Sequence, residues 1–256
     1  MSELAIRMFP CLADNYGYLL HDTESGVTAA VDTPDADEIL TQLDTAGWRL
    51  THIFNTHHHS DHAGGNLALK RATGCTIVGP RADAARIPGL DVAVGEGDVV
   101  ALGAHRATVF DTPGHTRGHI VYYFAEADAA FVGDTLFALG CGRLFEGTPV
   151  QMWGSLEKIL RWPDDTRIYC AHEYTQSNAR FALTVEPQNR ALRARADAVA
   201  KLRAAGKPTV PSTLGEERAT NPFLRAASAE LRATIGLPDA ADVDVFAKTR
   251  ALKDAF

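Results

Sequence analysis

The chain predicts an α/β layered domain followed by a helical C-terminal domain, and three observations carry that expectation. Between residues 4 and 170, short apolar runs alternate with loops rich in Gly, Pro and Asp and with a few helical stretches. After Glu173 the texture changes to segments rich in Ala, Arg and Leu. Hydrophobic residues make up 46% of 256 residues, enough for a substantial core, so the boundary is expected at 172/173.

Taken in order, strands are expected at 4–9, 16–21, 28–31, 52–55 and 76–78, each a short apolar or β-branched run closed by turn residues. Three more are expected at 107–110, 129–133 and 167–171. Helices are expected at 35–46, 63–73 and 149–161, which places helices outside and sheets inside. Beyond residue 173, the stretch 188–205 sets Leu192, Val199 and Leu202 roughly on one helical face, and Gly206-Lys207-Pro208 stops it. Further helical pieces are expected at 214–218, 222–235 and 241–253.

Composition excludes several function classes. The net charge of −7 argues against a nucleic-acid partner, because phosphate binding needs clustered positive charge. Its distribution is uneven: residues 171–256 carry 13 Lys+Arg against 10 Asp+Glu, whereas residues 1–170 carry 12 against 22. An acidic part joined to a mildly basic one would suit an anionic substrate. No apolar run of roughly eighteen residues suggests a membrane span. Met1-Ser2-Glu3-Leu4-Ala5 shows neither the basic nor the apolar region of a secretory signal, so a cytoplasmic protein is expected. Cys11, Cys75, Cys141 and Cys170 form no C-x-x-C pair and read as reduced thiols.

The run Thr56-His57-His58-His59-Ser60-Asp61-His62 is one that folding alone does not call for. On an extended backbone, His57, His59 and Asp61 project one way and His58 and Ser60 the other. With His62 opening the following helix, one loop offers two ligand pairs, His57/His59 and Asp61/His62, which suits two metal ions. Three further candidates each follow an apolar strand: His115 in Thr112-Pro113-Gly114-His115-Thr116, Asp134 after residues 129–133, and His172 after residues 167–171. Strand ends are where rigidly held groups meet open pockets. Histidine and carboxylate ligands without cysteine suit zinc first, while iron and manganese are also served by them. The chain shows no G-x-S-x-G elbow, no Walker P-loop and no dinucleotide fingerprint, so no protein nucleophile competes with a metal-activated water.

T-H-x-H-x-D-H, T-P-G-H-T, G-D-T and the late A-H-E-Y-T resemble the metallo-β-lactamase fold superfamily. Asp14-Asn15-Tyr16, Leu139-Gly140-Cys141-Gly142-Arg143, Ala171 to Thr175, Asn221-Pro222-Phe223 and Arg250 to Phe256 narrow the resemblance to the hydroxyacylglutathione hydrolase (glyoxalase II) family. The likeness runs from about residue 5 to the end. It implies a four-layer αββα sandwich, with residues 1–172 catalytic and residues 173–256 a helical substrate-binding domain. It implies two divalent ions per chain: His57, His59 and His115 on one, Asp61, His62 and His172 on the other, and Asp134 bridging. A metal-bridging hydroxide held by Asp61 and Asp134 would attack the thioester of S-D-lactoylglutathione. Arg143, Phe145, Tyr174, Arg250 and Lys253 would meet the glutathione part, with Arg250 and Lys253 sharing a helical face. Phe145 stands where many relatives have tyrosine, and Arg143 where they have lysine. The resemblance further implies a small-molecule substrate, no nucleic-acid or membrane partner, and a monomer.

Within the same fold, a lactonase, a β-lactamase, an iron-dependent persulfide dioxygenase or an RNA-processing nuclease are the rival readings. The full ligand set with Asp61, His62 and His172 favours a dinuclear hydrolase, and the acidic charge disfavours a nuclease. Asp32 and His119 stand open between orienting a ligand imidazole and a packing or turn role. Tyr16 is expected to pack.

Overall fold

Two units organise the chain: one runs up to Asp111 and includes Arg117–Gly133, and the other comprises Thr112–Thr116 and Asp134–Phe256. The structure is a computed structural model and describes residues 3–256. Met1 and Ser2, part of the N-terminal stretch read above for a signal, lie outside the described residues.

In the first unit, β1 (Leu4–Cys11), β2 (Asn15–Asp22) and β3 (Thr28–Val31) form an antiparallel meander. The chain then crosses through α1 (Ala36–Ala46) to β4 (His52–Phe54), which pairs parallel with β3. A second crossover, through α2 (Ser60–Ala63) and α3 (Asn66–Thr73), leads to β5 (Thr76–Pro80), also parallel, and β6 (Val92–Val94) closes the sheet. Asp35 caps α1 by accepting from the Asp37 and Glu38 amides, and Gly47 ends it in the left-handed region at φ 68°. Ile39 and Leu43 of α1 and Leu69 of α3 pack on Leu19, Ala30, Ile53 and Ile77 of this sheet.

A second sheet in the same unit holds β7 (Val99–Leu102), β8 (His105–Asp111), β9 (Ile120–Phe124) and β10 (Ala129–Gly133), all antiparallel neighbours. The two sheets meet through aromatic side chains. Tyr18 lies 5.4 Å from Phe131 and Phe54 lies 5.3 Å from Tyr122 between ring centroids. The buried Tyr122 hydroxyl donates to the Asn55 carbonyl at 2.9 Å, which joins this interface to the end of β4.

The second unit begins with the loop 112–116 and carries the short hairpin β11 (Leu136–Phe137) and β12 (Gly140–Cys141). Then follow α4 (Pro149–Ile159), β13 (Arg167–Cys170), α5 (Thr175–Val185) and α6 (Arg190–Ala204). β14 (Ser212–Thr213) pairs with β13, and α7 (Leu214–Thr220), α8 (Ala229–Thr234) and α9 (Asp242–Ala255) complete the chain. Thr148 with Gln151 and Thr213 with Glu216 form capping boxes at α4 and α7.

Several elements differ from the sequence expectation. The helix expected at 63–73 starts earlier and is broken. The His62 carbonyl accepts from the Thr33 amide at 2.7 Å and the Asn55 side chain at 2.9 Å, so it is diverted from the helical ladder. The helix expected at 222–235 splits into a 3-10 turn at Pro222–Leu224 and α8, because Asn221 caps the turn and Ser228 starts a new helix. Strands β6, β7, β9, β11, β12 and β14 and helix α5 lie outside the expected set. β9 is a wholly buried Ile-Val-Tyr-Tyr-Phe run with no alternation to mark it. No helix among the described residues is long and apolar enough to cross a membrane.

Candidate metal centre and adjoining pocket

In the first unit the candidate ligands hang from the ends of β3 and β4. Asp32 follows β3 with φ 57°, a left-handed conformation that turns its carboxylate onto the β4 end. One oxygen accepts from the Thr56 amide, and the other from the Thr56 hydroxyl and His62 Nδ1, all at 2.8 Å. Because the Thr56 hydroxyl donates to Asp32, it accepts from His57 Nδ1 at 3.1 Å. His57 Nε2 then lies 3.1 Å from His59 Nδ1. Asn15, at the start of β2, donates to the Asp61 carbonyl at 3.3 Å and its carboxylate at 3.2 Å. Ligand-type atoms of Asp32, His57 and His62 all lie within 4.8 Å of one another.

The expected strand-like alternation of His57, His59 and Asp61 holds only as far as His59. Ser60 opens α2, whose first turn is closed by amides of His62 and Ala63 on the His59 carbonyl, both at 2.9 Å. Asp61 and His62 are therefore neighbours on a helical turn. His58 leaves the cluster as expected, contacting Asp83 at 3.3 Å and Arg86 at 3.1 Å, and Ser60 is exposed. His119 stacks on His57 with centroids 4.8 Å apart, and Tyr16 is buried.

In the second unit the remaining candidates converge on Asp134. His115 donates from Nδ1 to the Arg143 carbonyl at 2.9 Å, and its Nε2 lies 3.4 Å from Asp134 Oδ2. His172 Nε2 lies 3.5 Å from the other oxygen, Oδ1. The His172 ring is stacked on Tyr174, 4.8 Å away and within 2° of parallel. Gly114, just before His115, has φ 155°, and a Cβ there would sit 2.7 Å from Met152 Cβ, so only glycine lets the loop lie against α4.

The donor chemistry fits divalent metal ions. His57, His62 and His115 each give their Nδ1 proton to an oxygen acceptor, which makes Nε2 the nitrogen that carries the lone pair. Fixing the tautomer from outside is how ligating imidazoles are held. Asp134 presents one oxygen to each of two histidines at 3.4 and 3.5 Å, longer than good hydrogen bonds and suited to a carboxylate shared between ions. All but His59 and Asp61 of the seven candidates are buried, and buried polar atoms need partners.

A pocket of about 340 Å³ opens in the second unit beside Asp134 and His115. Arg143, Phe145, Tyr174, Arg250 and Lys253 all line it. Phe145 packs edge-on against His115 with centroids 5.2 Å apart and is otherwise exposed. Arg143 is exposed, whereas Arg250, expected with Lys253 on one helical face to meet the glutathione part, lines the pocket but is buried. The Arg250 guanidinium donates to the Cys141 carbonyl at 2.8 Å, meets Asp254 at 2.9 Å and lies over the Phe223 ring at 4.9 Å. Lys253 is half-buried, with Nζ 3.4 Å from the Ser177 hydroxyl. Burial, and then Arg250, Arg180 and Arg143, push its pKa down.

Glu217, Asn221 and Asn178, which shape one wall of the pocket, are not among the candidate site residues the sequence offers. Residues 136–141 turn through Leu139 at φ 59°, and side chains from the C-terminal helices grip that turn. Glu217 accepts from the Leu139 amide at 2.9 Å, Asn221 donates to the Phe137 and Gly140 carbonyls at 3.1 and 2.9 Å, and Asn178 donates to Ala138 at 3.1 Å. A buried Glu or Asn on a helix carries no local mark of such a partner. The one available signal was Asn221-Pro222-Phe223, quoted above only as part of a pattern.

Comparison with known proteins agrees with this geometry. The profile described as "Metallo-beta-lactamase superfamily" matches residues 22–172, and "Hydroxyacylglutathione hydrolase C-terminus" matches residues 173–256. The chain is 57% identical over 256 residues to the hydroxyacylglutathione hydrolase of Maricaulis maris, covering all of both chains. It is also 57% identical to that of Methylococcus capsulatus, covering 99% of each. Among solved structures, ETHE1 from Myxococcus xanthus shares 26% identity at a TM-score of 0.67, over 98% of this chain and 99% of that one. The fold is thus the α/β sandwich of the metallo-β-lactamase superfamily with a helical C-terminal domain. With relatives this similar over its whole length, the chain belongs to the hydroxyacylglutathione hydrolase family.

Proposed function

We propose that this protein hydrolyses S-(2-hydroxyacyl)glutathione thioesters, S-D-lactoylglutathione above all, to glutathione and a 2-hydroxy acid such as D-lactate, the second step of methylglyoxal detoxification. The observation that supports the reading is a pocket lined by Asp134 and His115 together with Arg143 and Lys253, candidate metal ligands in the same pocket as basic groups suited to carboxylates. In this reading, residues 1–172 are the catalytic domain and residues 173–256 the substrate-binding one, a division supported by the two matched profiles.

His57, His59 and His115 are assigned to one divalent ion, Asp61, His62 and His172 to the other, and Asp134 to both. Zinc suits these nitrogen and oxygen ligands first, and iron and manganese also fit. Such a pair, when bound, brings the pKa of a shared water toward neutrality and polarises a carbonyl. The protein's own groups do the rest. Asp32 and the Arg143 carbonyl keep His62 and His115 aimed, and Asn15 holds Asp61; Asp61 and Asp134 would hold a metal-bridging hydroxide. Arg143 and Lys253 hold carboxylates of the thiol carrier, Tyr174 and Phe145 flank it, and Arg250 fixes the wall at Cys141. A thiolate leaves readily, so no dedicated general acid is needed. The enzyme is proposed to act as a cytoplasmic monomer on a small molecule, without nucleic-acid or membrane partners.

The test is a side-by-side assay of the purified protein with S-D-lactoylglutathione, a chromogenic β-lactam, a homoserine lactone and glutathione persulfide. Thiol release from the first substrate alone is expected. Oxygen consumption with the persulfide, or ring opening without thioester hydrolysis, would replace this reading with one of its rivals.

A further inference from the structure

Among the charged groups that act on Lys253 (Arg250, Arg180, Arg143 and Asp254), Asp254 is the single acid. Its Oδ1 lies 2.9 Å from the Arg250 guanidinium and 3.9 Å from Arg143 Nε. Arg250 is already committed, with one nitrogen on the Cys141 carbonyl and its face over Phe223. Arg143 is different: its side chain is 67% exposed and that of Asp254 43%, so their contact is open to exchange. Arg143 and Lys253 both line the pocket.

We infer that Asp254 is an affinity-determining residue, a built-in counter-anion that competes with the substrate's carboxylates for Arg143 and Lys253. The inference rests on the proposal that this pocket takes the glutathione carrier. Glutathione brings two carboxylates, and the thioester substrate and the thiol product carry the same two. Any grip on them is uniform binding, which lowers KM without speeding the chemical step and equally retards product departure. An internal carboxylate beside the basic groups weakens that grip on both. This is a role for the acid that stabilisation of α9 does not require.

The experiment compares the wild type with Asp254→Asn and Asp254→Glu in the metal-loaded enzyme, reading KM for S-D-lactoylglutathione, inhibition by glutathione and by an S-alkyl glutathione thioether, and Tm. Asp254→Asn should lower KM and both inhibition constants together, about three- to tenfold at low salt, and the gain should shrink at high ionic strength. Asp254→Glu should return them toward wild type. A KM that rises or stays unchanged in Asp254→Asn, with the protein folded, overturns the inference, because a purely structural acid can only loosen the site when neutralised. Lys253→Met separates this failure from that of the functional reading: if it too leaves KM unchanged, the pocket does not hold the carrier.

Discussion

Asp32 illustrates what one residue does at this site. Its carboxylate accepts three hydrogen bonds, and two of them set the tautomers of His62 and, through Thr56, of His57. Asp32→Asn removes the charge that makes His62 a stronger donor to metal. Metal affinity should fall about 10–100-fold, measured by chelator competition with zinc, while the apo protein still folds. Affinity within twofold of wild type would leave Asp32 a plain turn residue. Arg143 and Lys253 make the second test at this scale. Replacing both by Ala should raise KM for glutathione thioesters with a smaller loss in kcat, each contact contributing roughly 0.5–1.5 kcal/mol after solvent screening. Arg250 does not belong in that variant. It is buried against Cys141, Asp254 and Phe223, so Arg250→Ala should cost about 2–4 kcal/mol of stability by breaking a buried network.

Among the elements, the β11–β12 hairpin shows how helices far along the chain shape the pocket. Glu217 is fully buried, and Arg195, itself mostly buried, neutralises it at 2.5 Å. The pair holds the Leu139 amide and Asn221 against the hairpin turn. Glu217→Gln leaves Arg195 without its counter-charge, so a loss of about 3 kcal/mol is expected, read as a lower urea midpoint at unchanged m-value. The same variant should raise KM, because Phe137 and Cys141 belong to the pocket wall. A stable protein with wild-type KM would mean the turn holds its shape without the clamp.

Across the whole molecule, the four cysteines form no disulfide and all are buried. Burial raises Cys11 and Cys170 to about 12 and Cys141 to about 11, and it raises Cys75 as well. A thiol reagent at pH 8 should therefore find almost no thiolate in the native enzyme and four reactive thiols after unfolding. Rapid native labelling of Cys141 would show that the pocket exposes it. The folded state holds these thiol protons more tightly, so their contribution is fully present below about pH 9 and is lost as pH climbs toward 11–12. Stability curves between pH 8 and 11 should fall accordingly.

The sequence by itself determined the fold class, since strand-sized apolar runs before residue 170 and helical texture after 173 follow from local patterning that each segment carries alone. It also displayed the candidate ligands, because crowded histidines at strand ends have no cheaper explanation in folding. The parts it left undetermined depend on partners distant in the chain. The break between α2 and α3 arises from Thr33 and Asn55 capturing the His62 carbonyl. The orientation of His62 depends on Asp32, thirty residues away, and the burial of Arg250 on Cys141, more than a hundred residues away. Hydrogen-bond partners of that kind leave no periodic trace, and an arginine on a helix reads the same in sequence whether it faces water or a carbonyl. Only the tertiary structure decided which basic residues of the pocket stay exposed, as Arg143 does, and which are buried against its wall, as Arg250 is.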